Sequence, residues 1–237
     1  MIAIPAIDLR DGCCVQLVGG SFEDERVRIA DPLGVAQRWI DAGFTRLHVV
    51  DLDAATGRGS NSDIVERLAA LTDLETQVGG GLRDSASIDA LLGGGAERVV
   101  VGTRALRDRQ WLSEIARAWP SRIVVAADAH DGITVTDGWT ASLGRDVLDV
   151  IDELNVLPLS AVLVTAVDRE GQMRGPDLDL MARVVRRSDH PVIASGGIAS
   201  MDDLRDVQKI GVSATVIGMA LYSGALDERA VAEEFAA

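Results

Sequence analysis

The sequence predicts an α/β fold, a (β/α)8 TIM barrel with a two-fold half-barrel internal repeat, filling residues 1–237 as one domain. Three observations lead there. Short β-branched runs alternate eight times with amphipathic stretches, and the runs are nearly continuous in apolar residues, as parallel strands buried on both faces are. The length, 237 residues, is long for an average domain but suits a barrel of about 250 residues. Two blocks of residues in the first half also recur, in the same order, in the second.

Taken in order, a strand at 2–7 precedes a helix at 32–42, and a strand at 46–50 precedes a helix at 62–71. Strands at 75–78 and 98–101 lead to helices at 85–92 and 108–118. The second half repeats the alternation, with strands at 122–127, 161–164, 191–194 and 214–217 and helices at 145–154, 178–187, 201–208 and 227–235. Eight such units with short links argue for a closed barrel over an open doubly wound sheet. No linker, low-complexity stretch or block of charge interrupts the series.

Hydrophobic residues make up 47% of the chain and aromatics only 3%, so the core is expected to be aliphatic. No apolar run approaches the roughly 18–20 residues that cross a bilayer. Met1-Ile2-Ala3-Ile4-Pro5 carries no basic leader, and the chain reads as cytoplasmic. A net charge of −14 repels nucleic acid and anionic membranes, which leaves a small molecule as the expected partner. A complete barrel suits a monomer. Lys209 is the single lysine among 23 basic residues, and aspartate outnumbers glutamate more than twofold. Adaptation to concentrated salt and a GC-rich genome account for that bias equally well. Cys13 and Cys14 are neighbours, a spacing that strains a disulfide, and read as small apolar groups in an extended segment. With three scattered histidines, no zinc site is expected.

The repeat points to the chemistry. Asp8-Leu9-Arg10-Asp11-Gly12 with Val15 reappears as Asp128-Ala129-His130-Asp131-Gly132 with Val135, an offset of 120. Gly80-Gly81-Leu82 with Gly102 reappears as Gly196-Gly197-Ile198 with Gly218, an offset of 116. The strand end His48-Val49-Val50-Asp51 lines up with the strand of Leu163, which sets Asp51 opposite Thr165. Two registered blocks imply two four-stranded halves about a pseudo-twofold axis.

Barrels of this kind do their chemistry at the C-terminal ends of the strands. Asp8 ends the first strand and Asp128 the fifth, on opposite sides of the mouth, where two carboxyls of different pKa divide acid and base work. Capping a turn or pairing with an arginine is the other use of such an aspartate. The glycines stand at strand ends three, four, seven and eight. Gly79-Gly80-Gly81 with Gly102-Thr103, and Ser195-Gly196-Gly197 with Gly218, form candidate phosphate cradles, because glycine lets backbone N–H groups converge on an anion. Glycines are also ordinary turn residues. Two equivalent cradles suit a substrate with a phosphate at each end, bound by backbone dipoles despite the acidic surface. The stretch Gly19-Gly20-Ser21 and the segment after Trp139 are expected to close over it.

Lys209 falls in the seventh helix pattern, on the outer ring, so Schiff-base chemistry has no lysine to use. No Cys–His or Ser–His constellation stands out. Proton transfer by carboxylates remains, with neither a metal nor a cofactor expected. His48 is open between a core group and a ligand contact. Arg83 is open between a substrate contact and a neutraliser of Asp84.

Across nearly its whole length the chain resembles the aldose–ketose isomerases of histidine biosynthesis. The matching segments are Ile4-Pro5-Ala6-Ile7-Asp8-Leu9, Leu47-His48-Val49-Val50-Asp51-Leu52-Asp53, Val78-Gly79-Gly80-Gly81-Leu82-Arg83, Gly102-Thr103, Asp137-Gly138-Trp139 and Ala194-Ser195-Gly196-Gly197-Ile198. The resemblance implies an Amadori rearrangement of the phosphoribosyl-formimino aminoimidazole carboxamide ribotide. It also implies the roles: Asp8 as general base, Asp128 as general acid, Thr165 supporting the acid and Trp139 stacking over the substrate.

Two departures from the pattern matter. The related bifunctional phosphoribosyl isomerase, which also serves tryptophan synthesis, carries arginines where this chain has Gln16 and Asp137. Losing both cations costs several kcal/mol of charge-assisted binding to a substrate carboxylate, so phosphoribosylanthranilate is expected to be a poor substrate. The family's Asp-Gly-Thr after strand six is Glu170-Gly171-Gln172, which keeps the turn and leaves the contacts of Glu170 and Gln172 open. Two rival functions share the barrel and the paired aspartates. The cyclase subunit of imidazole glycerol phosphate synthase, a lyase, uses a lysine near the end of its first strand, where this chain has Cys13, Cys14 and Gln16. It would also form a stable complex with a glutaminase. A retired barrel that only binds phosphorylated ligands would be indifferent to Asp8→Asn, whereas an isomerase would lose turnover.

Overall fold

The computed structural model describes residues 1–236. Eight parallel strands pair in chain order: β1 (Ile2–Arg10), β2 (Arg46–Asp51), β3 (Glu75–Gly79), β4 (Arg98–Val101), β5 (Ile123–Ala126), β6 (Ala161–Thr165), β7 (Val192–Ser195) and β8 (Ala214–Ile217). The last returns to the first, with Ile2 opposite Ala214 and Ile4 opposite Val216, and so closes the barrel. Seven longer helices connect them and an eighth follows β8: α1 (Pro32–Ala42), α2 (Ser62–Ala69), α3 (Ser85–Gly93), α4 (Arg109–Ala118), α5 (Val147–Leu154), α6 (Leu178–Arg187), α7 (Met201–Lys209) and α8 (Glu228–Phe235). This is the (β/α)8 barrel that the alternation of strand and helix predicts. Among the described residues no helix is long and apolar enough to cross a membrane.

Inside the barrel Ile4, Ala6, Val100, Val124, Ala161, Leu163, Ile193, Ala214 and Val216 form one buried cluster, and a larger apolar layer lies between the strands and the helices. Each fully buried Val, Leu or Ile contributes about 1.5–3 kcal/mol. The expected aliphatic core holds within the barrel. Outside it, the fully buried Trp39 meets Phe44 and Tyr222 edge-on, with ring centres 6.0 and 5.5 Å apart.

The aspartate surplus has a local use. Asp31, Asp84, Asp108, Asp146, Asp177 and Asp227 each precede a helix and accept a backbone N–H from its first turn. Such a cap stabilises a helix by about 1 kcal/mol, and the short aspartate side chain reaches the N–H better than glutamate does.

The sequence reading did not foresee the hairpins. β1 does not stop at Ile7 but runs through Asp8 to Arg10, turns at Asp11-Gly12 and returns antiparallel as Cys13–Val18. A second turn at Gly19-Gly20 leads into the strand Ser21–Ile29. Asp11 and Gly12 have φ of 48° and 76°, and Asp131 and Gly132, between Ala129–His130 and Ile133–Thr136, have 50° and 76°. Two successive left-handed residues make the turn that matches the twist of paired strands. The repeated Asp-Gly therefore encodes the same hairpin in both halves. The expected closing loop at Gly19-Gly20-Ser21 is the paired tip of one hairpin, and the segment after Trp139 continues as the strand Ala141–Asp146.

Candidate active site

The barrel mouth at the C-terminal strand ends is a cavity of about 940 Å³. All the residues expected in the site line it: Asp8, Asp128 and Thr165, the two glycine clusters, and His48, Arg83, Thr103, Trp139 and Ser195. Asp8 lies on β1 opposite Val50 of β2, and Asp128 sits two residues past the end of β5. The expected pairing of Asp51 with Thr165 fails at one end. Asp51 faces away from the mouth, where it caps the short helix Leu52–Thr56 and accepts from the Asn61 backbone and side chain at 2.6 and 2.8 Å.

Burial pushes the Asp8 carboxyl up to about 7. Burial raises Asp128 as well, opposed by hydrogen bonds from Trp139 and Thr165. The indole Nε1 of Trp139 donates to Asp128 Oδ2 at 2.8 Å, while Oδ1 is buried without a partner. The tip of the first hairpin reaches the same ring, since a Cβ at Gly20 would stand 2.6 Å from Trp139. Both hairpins thus meet over the general-acid candidate.

Glu170 is a third carboxyl in this cavity that sequence reasoning left without a role. Burial, together with the charges of Asp8 and Asp128, raises it to about 7. Its place just past the end of β6, beside a glycine turn, was the available signal. Like charges in one desolvated space favour the protonated forms, so burial and mutual repulsion together raise the carboxyls of this cavity.

The cradles match in backbone geometry. Gly80 and Gly196 have φ of 103° and 100°, and Gly102 and Gly218 share an unusual φ/ψ near −124/−104° and −108/−99°. A Cβ on Gly80 would lie 2.3 Å from the Asp51 carbonyl oxygen, and one on Gly196 2.8 Å from that of Ala166. Glycine is required there by close approach of the neighbouring strand end. Gly80, Gly81, Gly196 and Gly197 all follow the last residues of β3 and β7 with positive φ.

The rims of the mouth differ in charge. Arg58, Arg83, Arg104 and Arg107 line the first-half side, and among the described residues no other Arg or Lys lines the cavity, although the Arg169 Cβ packs near Gly197. Arg83 donates to the carbonyls of Ala54 and Ala55 at 3.4 and 2.9 Å rather than pairing with Asp84. Arg58 stacks 4.2 Å over Phe22, and Arg107 pairs with Asp137 at 2.5 Å. Gln16 is buried, with Oε1 packed against Gly218. Lys209 ends α7, exposed and paired with Asp206, far from any role at the mouth. Cys13 and Cys14 are free thiols on a hairpin strand. Among the described residues no three His, Cys, Asp or Glu side chains group as metal ligands would.

The chain is similar to known proteins over nearly its whole length. The family model described as "Histidine biosynthesis protein" matches residues 2–227. A protein of Gemmatimonas aurantiaca is 53% identical over 237 residues, and one of Myxococcus xanthus is 54% identical over 237 residues, each covering the full length of both chains. A protein of Natronomonas pharaonis is 44% identical over 222 residues, 93% of this chain and 92% of its own. All three are named 1-(5-phosphoribosyl)-5-((5-phosphoribosylamino)methylideneamino) imidazole-4-carboxamide isomerase.

Proposed function

The chain belongs to the histidine biosynthesis protein family, and from that premise we propose that it catalyses the aldose-to-ketose isomerisation for which its relatives are named. The observation that carries the proposal is the pair Asp8 and Asp128, both with raised pKa, in one cavity between two glycine cradles. Asp128, whose pKa burial raises, gives its proton to the ribose ring oxygen, and the bond from that oxygen to C1′ opens to a C1′ iminium. Asp8 takes the proton from C2′, and the released electron pair forms the C1′–C2′ double bond of an enolamine. Loss of the C2′ hydroxyl proton and reprotonation at C1′ give the ketose. Substrate and product are isomers, so the scheme calls for no redox partner and no cofactor. Gly80, Gly81, Gly102, Thr103 and Arg83 would hold one phosphate, and Ser195, Gly196, Gly197 and Gly218 the other. Thr165 would orient Asp128, and Trp139 would cover the substrate as it binds the acid.

The test is a spectroscopic assay of the purified protein with the ribotide, run beside phosphoribosylanthranilate. Turnover of the ribotide is expected, and its absence would refute the proposal. Little or no turnover of phosphoribosylanthranilate is expected, because Gln16 is neutral and Asp137 is anionic where a substrate carboxylate would need cations. Robust activity on that substrate would show that other groups bind the carboxylate.

A pH dependence follows from the carboxyls. Asp8 acts only when ionised, so kcat/KM is expected to rise with pH through about 7. It falls again where Asp128 loses the proton it must donate, giving a bell-shaped profile. A profile flat between about pH 5 and 8 would remove Asp8 as the base.

A further inference from the structure

Among the polar side chains on the inner face of the barrel, three are neighbours around one imidazole, beside the ion pair of Arg46 with Glu75 at 2.9 Å. His48 of β2 is paired in register with Gln77 of β3, and Gln77 with Arg98 of β4. Registered neighbours in a sheet share a face, so the three lie side by side, between the apolar cluster and the charges of Arg46, Glu75 and Glu97 that act on Arg98. Gln77 is wholly buried and His48 nearly so, and the Gln77 amide nitrogen stands 2.8 Å from His48 Nδ1. Gln77 Oε1 is buried without a partner, and so are Nε and Nη2 of Arg98 on the adjacent strand.

The orientation of the Gln77 amide decides which imidazole nitrogen carries the proton. If its NH2 donates to Nδ1, the ring proton sits on Nε2 and the amide carbonyl is left towards the Arg98 donors. If instead its carbonyl accepts from Nδ1–H, the NH2 is turned towards the strand that carries the Arg98 charge. The second arrangement opposes like partial charges in a buried place, so the network selects the first. His48 lines the mouth and is in register with Ala6, two residues before Asp8.

We propose that Gln77 and Arg98 are positioning residues that hold His48 as the neutral Nε2–H tautomer, and that this N–H donates to the substrate oxygen that becomes enolic as Asp8 takes its proton. The proposal rests on the isomerase reading above. Burial, with the Arg98 charge, lowers the imidazole to about 4, so the ring is neutral over the working range. A neutral N–H in a dry site stabilises the negative charge that the C2′ oxygen gains as the enolamine hydroxyl gives up its proton, without the cost of burying an imidazolium.

The test uses the full-length protein labelled with 15N, in which His48 has only His130 and His190 beside it. Long-range 15N–1H spectra at about pH 7 are expected to show His48 protonated on Nε2 and bare on Nδ1, with no titration down to about pH 5. Protonation on Nδ1, or titration above about pH 6, overturns the proposal. Gln77→Met keeps the volume and removes the amide. It is expected to lower kcat about 10–100-fold with KM within about threefold, and to mix the His48 tautomers in the same spectra. Unchanged kcat and unchanged His48 shifts in that variant also overturn it, and if the variant does not fold the wild-type spectrum decides alone. Turnover of the ribotide by the wild type, measured alongside, separates the two levels. An active enzyme with the wrong tautomer refutes this proposal only, and an inactive one refutes the isomerase reading with it.

Discussion

Asp8→Asn is expected to lower kcat by about 10²–10⁴-fold while leaving KM nearly unchanged. Asparagine keeps the shape of the side chain between the buried Ile7 and Leu9 and removes only the capacity to accept a proton. The same substitution is expected to raise stability above neutrality. Asp8 in the folded protein titrates near 7, against an ordinary value of 3.8. Between those two values the folded chain holds a proton that the unfolded chain has lost, so stability falls as pH rises through that window. Above about 7 the wild type bears the whole cost of a buried charge, and below about 4 it bears none. Thermal melts should therefore place the variant a few degrees above the wild type at alkaline pH and level with it in acid. Turnover within tenfold of the wild type would dismiss Asp8 as the base, and a lower melting temperature at alkaline pH would dismiss the burial argument.

Gly80→Ala is expected to destabilise the protein by about 2–4 kcal/mol, with loss of substrate binding in whatever fraction folds. Two costs combine. At φ 103° an L side chain is strained, and its Cβ would stand 2.3 Å from Asp51 O and 2.6 Å from Asp51 N. Those are backbone atoms at the end of β2, and Asp51 also caps the Leu52–Thr56 helix and holds Asn61, so the strand end has nowhere to retreat. Gly12→Ala is the control. Gly12 also has a positive φ, 76°, but nothing lies within 4 Å of its Cβ position, so about 1 kcal/mol is expected. Urea denaturation of the two variants measures the difference. Equal losses would mean that backbone conformation alone, and not close approach, selects glycine in the cradle.

The barrel was legible because its signals are local. Continuous runs such as Arg98–Val101 and amphipathic stretches such as Leu178–Arg187 report their state within one window of residues. The half-repeat was legible because Asp-Gly and Gly-Gly recur at nearly fixed offsets. The hairpins were not. Ser21–Ile29 alternates exposed and half-buried residues rich in charge, a pattern that reads as loop until its partner strand is present. The Leu52–Thr56 and Thr103–Arg107 helices are too short to show a helical period.

The candidate site divides in the same way. Asp8, Asp128 and the glycines could be read from their places at strand ends. The parts played by Glu170 and Gln77 and, apart from Arg83, the arginine rim could not, because each matters through neighbours remote in sequence. The sequence alone determined the order of elements, their two-fold repetition and the chemical types at the mouth, since short-range periodicity and spacing encode these directly. Only closure of the barrel decided which side chains meet. Parallel strands joined by a helix set residues such as His48 and Gln77, 29 positions apart, in contact, and nothing local to either residue carries that distance.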